Sequence, residues 1–279
     1  LIHQSDKDFP FDVPDAEITT IYEDSRSNIF IGTYDKGFYV RNPSRRSFGV
    51  NTLLSERYNG INIVSLDTDS SGNVWISARR EGVSLYDRVT DSIIDLSDMI
   101  ERVVPGFLND PLINIHVAPD NTVWLYHFKE LIALKYTRGN IRLVKRFKSL
   151  PPVISVTSDK EGTLWIGTFS HQIYFLEKGS SEIKKMDLFH PGFVYIPHIL
   201  PLSDGSLFIP GFQQNPRILY PEDMHFEKLD IQHFFPDLPL IPSALMEDSA
   251  GIIWMGTVGN GLIKYTPATG EIIPVRDLS

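Results

Sequence analysis

The chain has 279 residues with 26 basic and 35 acidic side chains, a formal net charge of −9, so no excess of cations is present to neutralise phosphates and a nucleic-acid module built on a basic face is excluded. A hydrophobic share of 42% and a charged share of 22% are those of an ordinary globular protein, and no stretch approaches the roughly twenty apolar residues of a membrane-spanning helix. Cysteine is absent, which removes disulfides, thiolate nucleophiles and cysteine-ligated zinc together.

Taken in chain order, one pattern recurs: an Asp, a turn residue three positions on, then an aromatic, an apolar and a small residue. It reads DSRSNIFIGT from Asp24, DSSGNVWISA from Asp69, APDNTVWLYH with Asn121 in place of Gly, and DKEGTLWIGT from Asp159. LSDGSLFIPG follows, keeping Gly205 with its acid Asp204 two places late, and DSAGIIWMGT from Asp248 is the last copy. The aromatic anchors Phe30, Trp75, Trp124, Trp165, Phe208 and Trp254 are 45, 49, 41, 43 and 46 residues apart. A fixed period of this size marks radial or solenoid repetition.

Each unit predicts four short strands. An alternating apolar run precedes the Asp (residues 63–66, 153–156 and 244–246), and a second strand carries the aromatic. A third ends near Tyr86, Tyr136, Tyr220 or Tyr265, and a fourth follows a polar turn (93–96, 141–144, 272–275). Regular turns without a long helical period favour radial β-sheets, with one short helix over residues 96–104. The expected fold is therefore all-β: a β-propeller of four-stranded antiparallel blades, a single domain over residues 1–279, with six motif copies and hence a six- or seven-bladed ring.

The motif reads as scaffolding. Gly72, Gly162, Gly205 and Gly251 supply a positive φ at a tight turn, and Asn121 is the next-best residue there. Asp24, Asp69, Asp159 and Asp248 are suited to accept hydrogen bonds from the turn's amides. Trp75, Trp124, Trp165 and Trp254 are large enough to fill the wedge between adjacent sheets. The same chemistry in every unit is the mark of an architectural role.

The string D-x-x-G-x-L-W-I-G-T is matched in full at residues 159–168 and, followed by G-L-x-x-Y, at 248–265 with Ile253 and Met255 as departures; 69–86 matches more loosely. It resembles the two-component regulator propeller repeat. The resemblance implies the periplasmic sensor part of an inner-membrane hybrid two-component system in polysaccharide-degrading bacteria, non-catalytic and without cofactor or metal. It implies an oligosaccharide ligand, a second propeller and downstream domains in the same chain, and a homodimer of a full-length histidine kinase. Leu1 in place of Met fits one propeller cut from such a chain, and six visible units against an expected seven is the departure.

The turns between second and third strands differ from unit to unit, unlike the Asp-Gly turns on the opposite face. They and the approaches to the first strands supply the candidate ligand-binding residues: Tyr34, Lys36, Asn62, Arg79, Arg80, His127, Phe169, His171, Gln213 and Asn260. Aromatic faces suit the C–H patches of sugars, while amides, Arg and His suit hydroxyls and carboxylates. Arg79 and Arg80 could hold an acidic saccharide with forked hydrogen bonds. Two other readings stand beside this one. A lactonase- or lyase-type enzyme would hold a metal in a central channel through Asn62, Asp110, Asn114, Glu130 or His198. An interaction scaffold would use Tyr34, Phe128, Phe169 and Phe212 as hot spots.

Overall fold

The computed structural model describes residues 18–23, 29–33, 38–41, 52–137, 139–192, 194–231, 241–257 and 261–275. The chain divides into two compact units: residues 1–127 with 131–146, and residues 128–130 with 147–279.

In the first unit, β1 (Ile18–Glu23), β2 (Ile29–Thr33) and β3 (Phe38–Arg41) form a three-stranded sheet. After helix α1 (Thr52–Tyr58) come β4 (Ile63–Thr68), β5 (Val74–Ala78), β6 (Gly82–Asp87) and β7 (Ser92–Asp95), a four-stranded sheet in chain order. Helix α2 (Ser97–Val103) lies in the connection, where a short helix was expected, whereas α1 had no sequence signal. The third sheet is β8 (Asn114–Val117), β9 (Val123–His127), β10 (Glu130–Thr137) and β11 (Asn140–Phe147). The helices serve the cores rather than the surface. Leu54 and Tyr58 of α1 pack with Phe30, Ile63 and Ile76, and Ile100 of α2 packs with Trp75, Leu125 and Leu134.

The second unit repeats the plan three times, each sheet in chain order: β12 (Val153–Ser158), β13 (Leu164–Thr168), β14 (Gln172–Leu176) and β15 (Lys184–Asp187); β16 (Leu200–Pro201), β17 (Leu207–Gly211), β18 (Gln214–Tyr220) and β19 (His225–Lys228); and β20 (Pro242–Glu247), β21 (Ile253–Thr257), β22 (Gly261–Thr266) and β23 (Glu271–Val275). Two cores separate them. One gathers Trp165, Ile173, Ile196 and Ile209, and the other Phe208, Ile218, Met255 and Ile263. The second strands are buried along their whole length in β5, β9, β13 and β17. Both faces of an inner strand of such a sheet are covered, so the strand reads as a continuous apolar run rather than an alternation.

The repeated turn has the chemistry expected of it. Asp159 Oδ1 accepts from the amide of Thr163 at 2.8 Å and Oδ2 from the indole Nε1 of Trp165 at 2.8 Å. Asp248 does the same with the amides of Ala250 and Ile252 and with Trp254 Nε1 at 2.8 Å. Gly162 stands at φ +88° and Asn121 takes its counterpart's place at φ +59°. Asp24 lies outside the described residues. The turn is therefore bolted to the aromatic of the next strand, a link the spacing alone did not show.

Those bonds hold the Asp248 carboxyl below the ordinary carboxylate value, the Trp254 indole first and the Ile252 amide next. A depressed folded value adds stability that is present above the unfolded value, about pH 4, and is lost as pH falls through the lower folded one. Acid unfolding followed by thermal melts between pH 2 and 5 should be less steep in Asp248→Asn than in the wild type; equal slopes would contradict the assignment.

The first strand of four sheets carries a register shift at one place: Ile18/Thr20, Ile63/Ser65, Val153/Ser155 and Pro242/Ala244. Such a bulge re-aims the side chain beside it. Ser65 Oγ accepts from the amide of Ile115 at 3.1 Å, and Ser155 Oγ donates to the carbonyl of Ile196 at 2.9 Å. β4 is thereby tied to β8, the first strand of the next sheet, and β12 to the chain leading into β16.

Candidate functional site

Each second strand leaves its Asp-Gly turn at one end and reaches the variable turn at the other. In the second unit this far end brings four aromatic rings into one row. Phe128 precedes β10, Phe169 follows β13, Tyr195 lies in the connection before β16, and Phe212 turns from β17 to β18. Ring centroids are 5.7 Å apart for Phe128 and Phe169, edge to face, 5.0 Å for Phe169 and Tyr195, and 4.6 Å for Tyr195 and Phe212, stacked. Phe128 is 55% exposed and Phe169 39%, values that leave both rings open to a partner.

The backbone holds the row in place. The amide of Phe169 donates to the carbonyl of Pro152 at 3.0 Å, and that of Phe212 to the carbonyl of Tyr195 at 3.1 Å. Around β14, the half-buried His171 sets Nε2 3.4 Å from Asp187 Oδ1, and Gln172 Nε2 donates to the same oxygen at 2.7 Å. Gln213 is exposed at φ +55° in the turn after β17. These polar groups with the aromatic row can offer stacking together with hydrogen bonds to a hydroxylated ligand.

In the first unit, the carbonyl of Asn62 accepts from the amide of Arg79 at 2.8 Å, which sets Asn62, Arg79 and Arg80 at one end of the β4–β7 sheet. Both arginines are exposed, and neither guanidinium has a hydrogen bond or ion pair among the described residues. Arg80 sits at φ +65°. His127 departs from expectation. It ends β9 instead of lying in the turn and is 5% exposed, with its ring 4.6 Å from Phe107 and its Nδ1 3.7 Å from Asp110. Burial of the whole second strand carries it into the core. Tyr34, Lys36 and Asn260 lie outside the described residues.

Sequence reasoning did not find Arg217. It is 4% exposed and lies 5.0 Å from the centroid of Phe189 and 5.7 Å from that of Phe226, and burial lowers its pKa. Its Nη1 donates to the carbonyl of Asn215 at 2.6 Å. The only signal is a cation set inside the apolar run NPRILY, and such cations more often face solvent. Among the described residues no group of three or more His, Asp or Glu side chains gathers as a cation site would require.

The two component regulator propeller family matches residues 12–35 of this chain. None of the curated proteins matches it. Among solved structures, the extracellular domain assigned to the hybrid two component system BT3049 of B. thetaiotaomicron is similar with a TM-score of 0.68 at 18% identity, over 88% of this chain and 33% of that one. PorZ of Porphyromonas gingivalis, an essential bacterial surface component of the type-IX secretion system, gives 0.68 at 14% identity, over 92% and 39%. The Cps50 (Swd1) beta-propeller domain of Myceliophteria thermophila gives 0.65 at 13% identity, over 95% and 89%. The chain thus spans well under half the length of the first two structures. At these identities the likeness shows the fold, which is a β-propeller: mostly β, with five four-stranded antiparallel sheets and few helices among the described residues.

Proposed function

We propose that this propeller is the non-catalytic, periplasmic sensor part of a hybrid two-component system, and that polysaccharide-derived oligosaccharides bind on its variable face. The observation that carries this reading is the row of Phe128, Phe169, Tyr195 and Phe212, with two rings exposed on a rigid sheet end. The regulator repeat and the likeness to a sensor's extracellular domain support it. In the second unit, sugar C–H patches stack on the exposed rings and His171 and Gln213 meet hydroxyls; in the first unit, and as a contact of its own, the exposed Arg79 and Arg80 suit the carboxylate or sulfate of an acidic glycan. Binding then shifts the arrangement of this propeller relative to a second propeller, downstream domains and the partner protomer of a full-length histidine kinase. A ligand does this only through different affinity for the two arrangements.

Calorimetric titration of the chain with neutral and acidic oligosaccharides tests the reading. Saturable heats are expected, weakened about tenfold in Phe169→Ala and in Phe128→Ala, the loss that removing one well-placed aromatic contact of ~1.4 kcal/mol produces. Arg79→Ala with Arg80→Ala should weaken acidic ligands alone. No heat from any saccharide, together with a mass that rises with concentration and is reversed by Phe169→Ala, would replace this reading by an interaction scaffold built on the same rings.

A further inference from the structure

A second feature lies at the other end of the sheets, within the first unit. A cavity of about 370 Å³ opens beside Trp75, walled by Asp69, Asn73, Asp87, Asn121 and Tyr136. Its volume falls at the small end of ligand pockets, ~300–1,000 Å³. Two neighbouring repeats are clasped at its edge: the amide of Ser70 donates to Asn121 Oδ1 at 2.9 Å, and Asn121 Nδ2 donates to Ser70 Oγ at 2.6 Å.

Trp75 is 1% exposed, and its Nε1 is buried without a hydrogen-bond partner among the described residues. The equivalent indoles of Trp165 and Trp254 donate to Oδ2 of Asp159 and Asp248. Here Oδ2 of Asp69 accepts from Asn73 Nδ2 at 3.0 Å and not from the indole. The fourth residue after the Asp differs as well: Asn73 in this repeat, Thr163 and Ile252 in the others. An unmade bond to a buried N–H costs ~1–3 kcal/mol, so a repeat that tolerates one departs from the scaffold its neighbours share.

The walls specify the chemistry. Trp75 and Tyr136 meet edge to face at 5.8 Å, and the half-buried Tyr136 offers apolar surface while Asn73 offers an amide. Asp69 and Asp87 offer carboxylates, and among the described residues no lysine or arginine lines the cavity. Two carboxylates repel an anion. A bare ammonium ion would suit the carboxylates and ring faces but would leave most of the volume empty. A compact ring with hydroxyls on its rim and C–H groups on its face answers both halves.

We propose that this cavity binds a neutral, hydroxyl-bearing ring of monosaccharide size, with Asn73 turning from Asp69 to the ligand and so releasing Asp69 Oδ2 to the Trp75 indole. The site is separate from the aromatic row and does not depend on the reading of that row.

Indole ¹H–¹⁵N spectra of the whole chain test it. The resonance absent from Trp75→Phe belongs to Trp75, and N73T installs the residue of the Asp159 repeat, giving Trp75 its carboxylate partner without ligand. Glucose, galactose, mannose, xylose and N-acetylglucosamine are the probes, with glucosamine and glucuronate as charged controls. At least one neutral sugar should move the Trp75 resonance saturably toward its position in N73T, and N73T should respond at least tenfold more weakly. Phe169→Ala should titrate like the wild type. The proposal is overturned if no neutral sugar moves the resonance, if glucosamine or glucuronate alone does, if N73T responds as the wild type does, or if Phe169→Ala abolishes the response.

Discussion

Trp165→Ala is expected to lower the unfolding free energy by about 3–5 kcal/mol, the range for removing a large buried aromatic. Trp165 is 1% exposed and stacks on Phe175 with centroids 5.1 Å apart, in a core shared by Ile173, Ile196 and Ile209. Its loss leaves a cavity between two sheets and also strips the indole donor from Asp159, which is itself 4% exposed. Trp165→Phe separates the two effects. It keeps most of the ring but still leaves the carboxylate short of a partner, at a cost of about 1–3 kcal/mol. Urea denaturation of both variants measures the difference, and a loss below about 1 kcal/mol for Trp165→Ala would show that the wedge between the sheets is not filled by this ring.

Gly167→Ala is expected to cost about 3 kcal/mol, the upper end for overpacking, although only one methyl is added and the backbone there is not in the left-handed region. A Cβ at Gly167 would stand 2.2 Å from Ser155 Oγ and 2.5 Å from the carbonyl oxygen of Ile196. That serine and carbonyl are hydrogen-bonded to each other, so relieving the clash breaks the tie between β12 and the chain leading to the next sheet. Gly162→Ala is the comparison. At φ +88° its cost is the conformational ~1–2 kcal/mol of the left-handed region, and the nearest atom to a Cβ is the flexible Lys178 Cδ at 3.2 Å. Chemical denaturation should rank Gly167→Ala as the more damaging change. The reverse order would mean that the small residue after the aromatic is not there for close approach.

The two glycines show how far the sequence could be read. Gly162 was legible because a positive φ after an Asp is a local property of the turn. Gly167 appeared only as a small residue in the pattern, since the chain that passes over it comes from residue 196. His127 was misplaced for a similar reason. A polar residue next to Phe128 looks like a turn, but it caps a second strand buried along its whole length.

What the sequence alone determined is the repeating element: its period, the Asp-Gly turn, the aromatic of the second strand and thus the all-β propeller fold. The turn and the aromatic depend on residues within about ten positions of one another, where spacing and propensity carry the information, and the period is the recurrence of that short string. Only the tertiary structure decided that Phe128, Phe169, Tyr195 and Phe212 meet, that Arg217 is buried close to Phe189 and Phe226, and that Asp69 accepts from Asn73 while the Trp75 indole has no partner among the described residues. The rings come from separate turns whose approach is set by how successive sheets pack. At Asp69 the indole lacks the bond its counterparts Trp165 and Trp254 make, which the shared motif does not show.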